Sequence, residues 1–213
     1  MVKGSVTPAS VGVLISGRGS NLQSLIDAQS AGELPAQIAV VISNKPGVQG
    51  LDRARAAGIE ALTISHRDFP DRDAFDRALA KALKDRGVTL VCLAGFMRLI
   101  GRPLLDVFPD AILNIHPSLL PSFPGVDAQA QALAHGVKVS GATVHLVNGD
   151  LDAGPIIAQA TVPVKDDDTP ESLARRVLVE EHRLYPLAVR IVLAGGWRID
   201  GRRFVRAPTV RFE

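Results

Sequence analysis

An amide and an imidazole stand two residues apart in a strand-like apolar segment. Asn114 and His116 lie within residues 112–117, whose other members are Ile112, Leu113, Ile115 and Pro117. Because residues i and i+2 of an extended strand point to the same face, the two side chains should project together. Pro117 then breaks the strand, and further prolines keep the following residues in a loop. The segment predicts a pair of hydrogen-bond donors aimed at one spot.

Two carboxylates follow a second strand-like segment, residues 142–147. Asp150 and Asp152 stand beside glycines that allow tight turns and a close approach to a ligand. If this loop folds back over the strand end, a carboxylate would orient the His116 ring and favour its charged form. His116 would then be a positioned general acid. The alternative is a structural histidine at a strand end, with the aspartates as ordinary turn residues.

Composition indicates a protein with a sizeable core and no strong charge bias. The 213 residues are 46% hydrophobic, with 24 basic and 22 acidic side chains, and neither nucleic-acid nor membrane binding is expected. The one cysteine, Cys92, excludes an intrachain disulfide and favours a reducing compartment. No signal peptide is recognisable, so a cytoplasmic location is expected. We predict a single domain over residues 1–213, with an N-terminal extension at 1–10 and a hairpin and tail at 197–213.

Strand-like and helix-like segments alternate along most of the chain. This pattern predicts an α/β fold, a mostly parallel Rossmann-like doubly wound sheet with helices on both faces and a small C-terminal β-hairpin. The expected strands are 11–16, 38–43, 61–64, 89–94, 112–116, 142–147 and 156–162, and the expected helices begin near Ser20, Gly47, Asp71 and Pro170. Ligands of such sheets bind at the carboxyl ends of the strands, where most of the unusual polar residues fall.

A glycine loop, residues 17–21, joins the first strand to the first helix. Ser20 is expected to cap that helix, whose free N–H groups would attract a phosphate. The dinucleotide fingerprint is incomplete, since Leu22 replaces its third glycine, and the Walker A lysine is absent. A monophosphate remains possible, as does a plain tight turn. Two alternatives also remain for residues 96–100. They would line the ligand site at the carboxyl ends of the strands, or they would pack as an ordinary helix.

Four blocks of sequence carry a resemblance to a known family. From about Val11 to Phe204 the chain resembles the folate-dependent phosphoribosylglycinamide formyltransferases. The blocks are Ile15–Gln23, Ala94–Arg98, Asn114–Pro121 and Leu151–Pro155. The last two are specific for folate formyltransferases, and the first points to the glycinamide ribonucleotide branch.

The resemblance implies a reaction and a set of site residues. The co-substrate would be 10-formyltetrahydrofolate, the acceptor would be glycinamide ribonucleotide, and neither a metal nor a covalent intermediate would be needed. The implied catalytic residues are Asn114, His116 and Asp152. The implied ribonucleotide-binding residues are Gly19, Ser20, Asn21 and Glu181. The implied folate-binding residues are Arg72, Met97, Arg98, Leu99, Ile100, Asn114, Asn148, Gly149, Asp150 and Leu151.

One position departs from the family pattern, and the oligomeric state is open between monomer and homodimer. Many members have a histidine where this chain has Asp127. Related rivals are methionyl-tRNA formyltransferase, formyltetrahydrofolate hydrolase and the sugar-nucleotide formyltransferases. The first would need an extra C-terminal domain and the second would usually carry an N-terminal one, and we expect neither here. Outside this group, a ligand-binding module and a dehydrogenase are the alternatives.

Overall fold

The computed structural model describes residues 9–207, which fall into two compact units, one ending at Ile112 and one beginning at Leu113. The first strand begins at Ala9, inside the predicted N-terminal extension. Residues 1–8 of that extension and residues 208–213 of the predicted tail lie outside the described residues. The assignment of the whole chain to a single domain stays a prediction.

The first unit alternates strands with helices. Its elements are β1 (Ala9–Ile15), α1 (Ser20–Ser30), β2 (Ala36–Ser43), α2 (Gln49–Ala56), β3 (Glu60–Thr63), α3 (Arg72–Lys84), β4 (Leu90–Leu93) and α4 (Arg102–Leu105), with a short 3₁₀ helix at His66–Asp68. The strands pair in the order β3-β2-β1-β4, and all of these pairs are parallel. The predicted α/β class and the parallel strands are confirmed, whereas α4 was not predicted.

Apolar patterning and end signals account for these elements. All residues of β4 are buried, as expected for a parallel strand covered on both faces. In α3, Phe75, Leu79 and Leu83 form a buried stripe at helical spacing. Burying each such side chain contributes about 1.5–3 kcal/mol. The helix starts where the Asp71 side chain accepts the N–H of Ala74 at 2.7 Å.

The second unit contains β5 (Ile112–His116), α5 (Ala128–Ala134), β6 (Val139–Leu146), β7 (Ile156–Pro163), α6 (Pro170–Leu193), β8 (Trp197–Asp200) and β9 (Arg203–Arg206). The strands pair in the order β5-β6-β7-β9-β8. Strand β6 runs antiparallel to both of its neighbours, β7 is parallel to β9, and β8 and β9 form the predicted hairpin. Neither α5 nor the reversed direction of β6 was predicted.

Helix α6 is the longest helix described and packs on β6 and β7. Its start is the predicted one, with Thr169 as N-cap and Pro170 in the first turn. Thr169 and Ser172 cap each other, because each side chain bonds the other's backbone N–H. Tyr185, fully buried in the helix, donates its hydroxyl to the Leu113 carbonyl at 3.2 Å. The Tyr185 hydrogen bond also ties α6 to β5.

One sequence expectation is wrong in detail, and one of the two alternatives for residues 96–100 is excluded. Ser20 does not cap α1: Gly19 is the N-cap, in a left-handed conformation at φ 72, and Ser20 is the first helical residue. Residues 96–100 do not form a helix, and Met97 and Leu99 are 68% and 56% exposed. Helix packing therefore does not explain the apolar side chains of that segment.

Candidate active site

The antiparallel pairing of β5 with β6 places polar side chains next to each other. Asn114 lies opposite His145, and His116 lies opposite Thr143. Within each strand the two residues are separated by one position, so all four point to the same face. The predicted common face for Asn114 and His116 is confirmed, and the pairing adds His145.

Asp152 joins the side chains of this cluster. Its Oδ2 accepts the N–H of Gly125 at 2.8 Å and lies 3.4 Å from His116 Nδ1. Its Oδ1 lies 3.5 Å from Asn114 Nδ2 and 3.7 Å from His145 Nε2. The Asp152 side chain is 9% exposed and the two imidazoles are 5% and 3% exposed. The predicted return of the loop onto the strand end is confirmed for Asp152.

The electrostatic balance keeps Asp152 ionised. Burial by itself would raise the pKa of this carboxyl, but the hydrogen bond from the Gly125 N–H and the neighbouring His116 imidazole act in the opposite direction, and the pKa lies below its usual value. A buried carboxylate that is charged at neutral pH provides a fixed negative charge next to both imidazoles. This arrangement can orient a cationic His116.

The hydrogen bonds of the two histidine rings assign different roles to them. His116 donates Nε2–H to the Phe123 carbonyl at 2.9 Å, while its Nδ1 faces the Asp152 carboxylate. Because both neighbours of the ring are acceptors, the doubly protonated ring satisfies both contacts. His145 donates Nδ1–H to the Leu146 carbonyl at 2.9 Å and accepts Asn114 Nδ2 at 3.2 Å. The neutral tautomer of His145 fits these partners.

The loop between β5 and α5 is held by side chains from the neighbouring strands. Thr143 Oγ1 donates to the Ser118 carbonyl at 2.7 Å and accepts the Leu120 N–H at 3.0 Å. Gln159 Nε2 reaches both the Leu120 carbonyl and Thr143 Oγ1. The loop therefore has a fixed start, which determines where the Phe123 carbonyl meets His116.

Strained backbone surrounds the cluster. Phe123, Asp127 and Asp152 adopt left-handed conformations, with φ of 56°, 56° and 49°. Such residues each cost about 1–3 kcal/mol and persist only where the surrounding contacts enforce them. Asp127, the position that departs from the family pattern, is the N-cap of α5. Its role in folate binding stays untested.

Gly154 fixes the other end of the Asp152 loop. A Cβ atom there would lie 1.8 Å from the Leu146 carbonyl oxygen, so only glycine allows this approach. The residues predicted to bind folate in this loop, Asn148–Leu151, lie at the surface: Leu151 is 56% exposed, and Asn148 Oδ1 accepts the N–H of Asp150 at 3.1 Å. Glu181 is buried in α6.

In the first unit, the glycine loop is held against α2. A Cβ on Gly19 would lie 2.7 Å from the Gly50 Cα, and the Gly50 N–H donates to the Gly17 carbonyl at 3.1 Å. Arg53 Nε donates to the Arg18 carbonyl at 2.9 Å. Arg53 was not predicted as a site residue, and it adds a positive charge beside the predicted phosphate site. Asn21 is buried in the first turn of α1.

The remaining residues predicted for folate lie on α3 and on the segment after β4. Arg72 is the first residue of α3. The Arg98 guanidinium lies 6.0 Å from the centre of the Phe75 ring, at the limit of a cation–π contact. Ile100 is buried, in contrast to Met97 and Leu99. Within the described residues, no helix is long and apolar enough to cross a membrane, and no group of three or more His, Cys, Asp or Glu side chains is arranged to hold a metal ion.

The sequence and the fold match one enzyme family. The formyl transferase family model matches residues 9–189, and the chain belongs to that family. Phosphoribosylglycinamide formyltransferase of Escherichia coli (strain K12) is 42% identical over 190 residues, which cover 89% of this chain and 87% of that protein. The crystal structure of glycinamide ribonucleotide transformylase 1 from Symbiobacterium toebii superposes with a TM-score of 0.92 at 55% identity, covering 93% of this chain and 94% of that one.

Similarity extends to a much longer animal protein. The trifunctional purine biosynthetic protein adenosine-3 of Drosophila melanogaster is 50% identical over 187 residues, which cover 87% of this chain but only 14% of that protein. The chain thus spans about a seventh of that relative's length. The predicted formyltransferase class is confirmed by the family match.

Proposed function

We propose that this formyl transferase moves the formyl group of 10-formyltetrahydrofolate to the amine of glycinamide ribonucleotide in de novo purine synthesis. The supporting observation is the buried cluster in which one ionised carboxylate, Asp152, contacts His116, His145 and Asn114. The similarity to enzymes named for this substrate supports the choice of acceptor. The products would be formylglycinamide ribonucleotide and tetrahydrofolate.

The reaction places specific demands on these side chains. The substrate amine attacks the formyl carbon, and the carbonyl oxygen becomes a tetrahedral oxyanion. The C–N bond to folate N10 then breaks, the amine nitrogen loses a proton and N10 gains one. Cationic His116 and the Asn114 amide would stabilise the oxyanion, and each such donor is worth about 100- to 1000-fold in rate. Asp152 would keep His116 charged and help to pass the proton.

The described contacts indicate which bonds substrate would exchange. His116 Nε2–H is bonded to the Phe123 carbonyl, and Asn114 Nδ2 is bonded to His145 and lies at the long distance of 3.5 Å from Asp152 Oδ1. A formyl oxygen would take the place of the Phe123 carbonyl on His116. It would also compete with the weak Asn114 to Asp152 contact, which is close to the limit of a hydrogen bond.

His145 would act through Asn114 and Asp152 and would not touch the substrate. Its Nε2 accepts a hydrogen bond from the Asn114 amide, and its Nδ1–H donates to the Leu146 carbonyl. Because His145 Nε2 accepts a hydrogen bond, the Asn114 amide is oriented with its nitrogen towards the His145 ring. His145 is therefore a positioning residue in the proposed mechanism.

We propose the binding residues by the family resemblance. Gly19, Ser20 and Asn21 at the start of α1 would hold the ribonucleotide phosphate, and Glu181 would contact its ribose or glycinamide end. The free N–H groups and the helix dipole at this end favour an anion. The folate would bind through Arg72, residues 97–100, Asn114 and residues 148–151. We further propose a cytoplasmic enzyme that acts as a monomer or homodimer and binds neither nucleic acid nor membrane.

An absorbance assay separates this function from its rivals. Purified protein is mixed with 10-formyl-5,8-dideazafolate, and release of the deformylated folate is followed with and without glycinamide ribonucleotide. We expect release only when the ribonucleotide is present. Release without it would indicate a hydrolase instead. No release under either condition would contradict the proposed acceptor.

A further inference from the structure

A buried carboxylate that the proposed mechanism does not use lies on α3. The side chain of Asp76 is fully buried, and its Oδ2 accepts the N–H of Gly101 at 2.6 Å. Its Oδ1 is also buried and makes no hydrogen bond to a described residue. Burying a charged group with one oxygen unpaired opposes folding, so packing alone does not account for an aspartate here.

The Gly101 N–H is one end of a segment that is held by backbone and side-chain hydrogen bonds together: the Ser16 N–H also donates to the Gly95 carbonyl at 3.1 Å. Residues 95–101 have no regular secondary structure. Near the other end, the Met97 N–H donates to Ser16 Oγ at 2.9 Å, and Ser16 Oγ donates to Asn44 Oδ1 at 2.6 Å. Between these two attachments, Leu99 is 56% exposed. A serine and an aspartate thus fix a segment that presents apolar side chains to solvent.

Charged side chains face Asp76 from its own helix and from the segment. Burial raises the pKa of its carboxyl, and the nearby Asp73 raises it further. The Gly101 N–H and the guanidinium groups of Arg72 and Arg98 lower the pKa, but the net shift is upward. Both guanidinium groups belong to residues proposed to bind folate. The carboxylate is therefore coupled to their positions by charge and to the segment by a hydrogen bond.

We propose that Asp76 is a positioning residue for the folate co-substrate: it fixes residues 95–101, so that Met97, Arg98 and Leu99 are presented in one arrangement. Its effect on the folate rests on the proposed function, whereas its effect on the segment does not. Without this acceptor, a segment with exposed apolar residues and no regular secondary structure would sample several conformations. Time spent in the other conformations would lower the fraction of enzyme molecules that can bind folate.

Hydrogen exchange measured by mass spectrometry tests the effect on the segment directly. Asp76→Leu removes the acceptor, and Asp76→Asn keeps an oxygen that can accept the Gly101 N–H. Asp85→Asn, at the exposed C-terminal end of the same helix, is the matched control. We expect Asp76→Leu to speed exchange in residues 95–101 by about tenfold, the effect of losing one charge-assisted bond. Wild-type exchange is expected in the other two variants.

Unchanged exchange in a folded Asp76→Leu protein would overturn the proposal. If Asp76→Leu does not fold, Asp76→Asn decides the question: protection in residues 95–101 equal to that of the wild type supports the role of the acceptor, and lost protection contradicts it. This measurement needs no substrate. It therefore remains decisive even if the proposed formyl transfer is wrong.

Steady-state kinetics test the effect on the folate. We expect Asp76→Leu to raise the KM for the formyl-folate analogue about tenfold and the KM for glycinamide ribonucleotide by less than about twofold. Asp76→Asn should stay within about threefold of the wild type for both, because it retains the acceptor. Equal increases in both KM values, or a change confined to kcat, would contradict a role in presenting the folate-binding segment. Inactivity of the wild type would refute the proposed function but not the result from hydrogen exchange.

Discussion

Replacing Asp152 with asparagine alters the charge of the candidate site with little change in shape. An asparagine can keep its oxygen where Oδ2 accepts the Gly125 N–H at 2.8 Å. Its amide nitrogen then occupies the Oδ1 position, facing Asn114 Nδ2, which is itself a donor. The substitution therefore removes the negative charge beside His116 and replaces an acceptor with a donor beside Asn114.

The contacts set the size of the expected effect. The charged partner of His116 Nδ1, at 3.4 Å, is lost. For this ion pair we take the range of a polar contact with a charged group, about 1.5–3 kcal/mol, and every 1.4 kcal/mol is tenfold in rate. If the ion pair matters fully in the transition state, kcat should fall by about 10- to 150-fold. Misplacement of Asn114 would add to this loss.

The assay measures kcat at saturating concentrations of both substrates, with circular dichroism to confirm folding. Asp166→Asn is the matched control, because this carboxylate is 90% exposed and pairs with Lys138 at the surface. We expect the control to retain wild-type turnover. Turnover within about twofold of the wild type in folded Asp152→Asn would refute the reasoning, because a loss below about 0.4 kcal/mol is smaller than any of the contacts invoked.

Three further predictions test other parts of the account. His116→Ala should lower kcat by about 100-fold or more with the fold retained, since it removes the proposed acid; turnover close to wild type would exclude that role. Gly141→Ala places a Cβ 2.0 Å from the Ala160 carbonyl oxygen and should lower the free energy of unfolding, measured in urea, by about 1–3 kcal/mol or more. Gly149→Ala is the control: a Cβ there has nothing within 4 Å, so the free energy of unfolding should change little. Because the pKa of Asp76 is raised above 3.8, the folded state binds its proton more tightly, so wild-type stability should fall relative to Asp76→Asn as the pH rises above about 4; a constant difference between the two proteins would contradict this.

The sequence predicted the parts of the site that follow from local rules. Alternation in β5 placed Asn114 and His116 on one face, and the glycines around Asp152 indicated a loop able to return to the strand end. The βα alternation predicted the parallel strands of the first unit. Each of these inferences depends on spacing within a few residues, which is visible in a single sequence.

Two buried polar residues were missed for different reasons. His145 depends on the antiparallel register that places it opposite Asn114, and no spacing within β6 reveals that partner. Asp76 could have been noticed, because it lies one residue after Phe75 and three before Leu79, on the apolar stripe of α3. A carboxylate on such a stripe is a signal in its own right. The left-handed conformations of Phe123 and Asp152 arise from contacts that local sequence does not encode.

Transfer of an isotopic label would show whether the formyl group reaches glycinamide ribonucleotide. The enzyme would be incubated with 10-[¹³C]formyltetrahydrofolate and glycinamide ribonucleotide, and the products analysed by mass spectrometry. We predict that the label appears in formylglycinamide ribonucleotide, with one labelled product formed for each tetrahydrofolate released. Label recovered as free formate, or an unchanged ribonucleotide after complete deformylation of the folate, would contradict it.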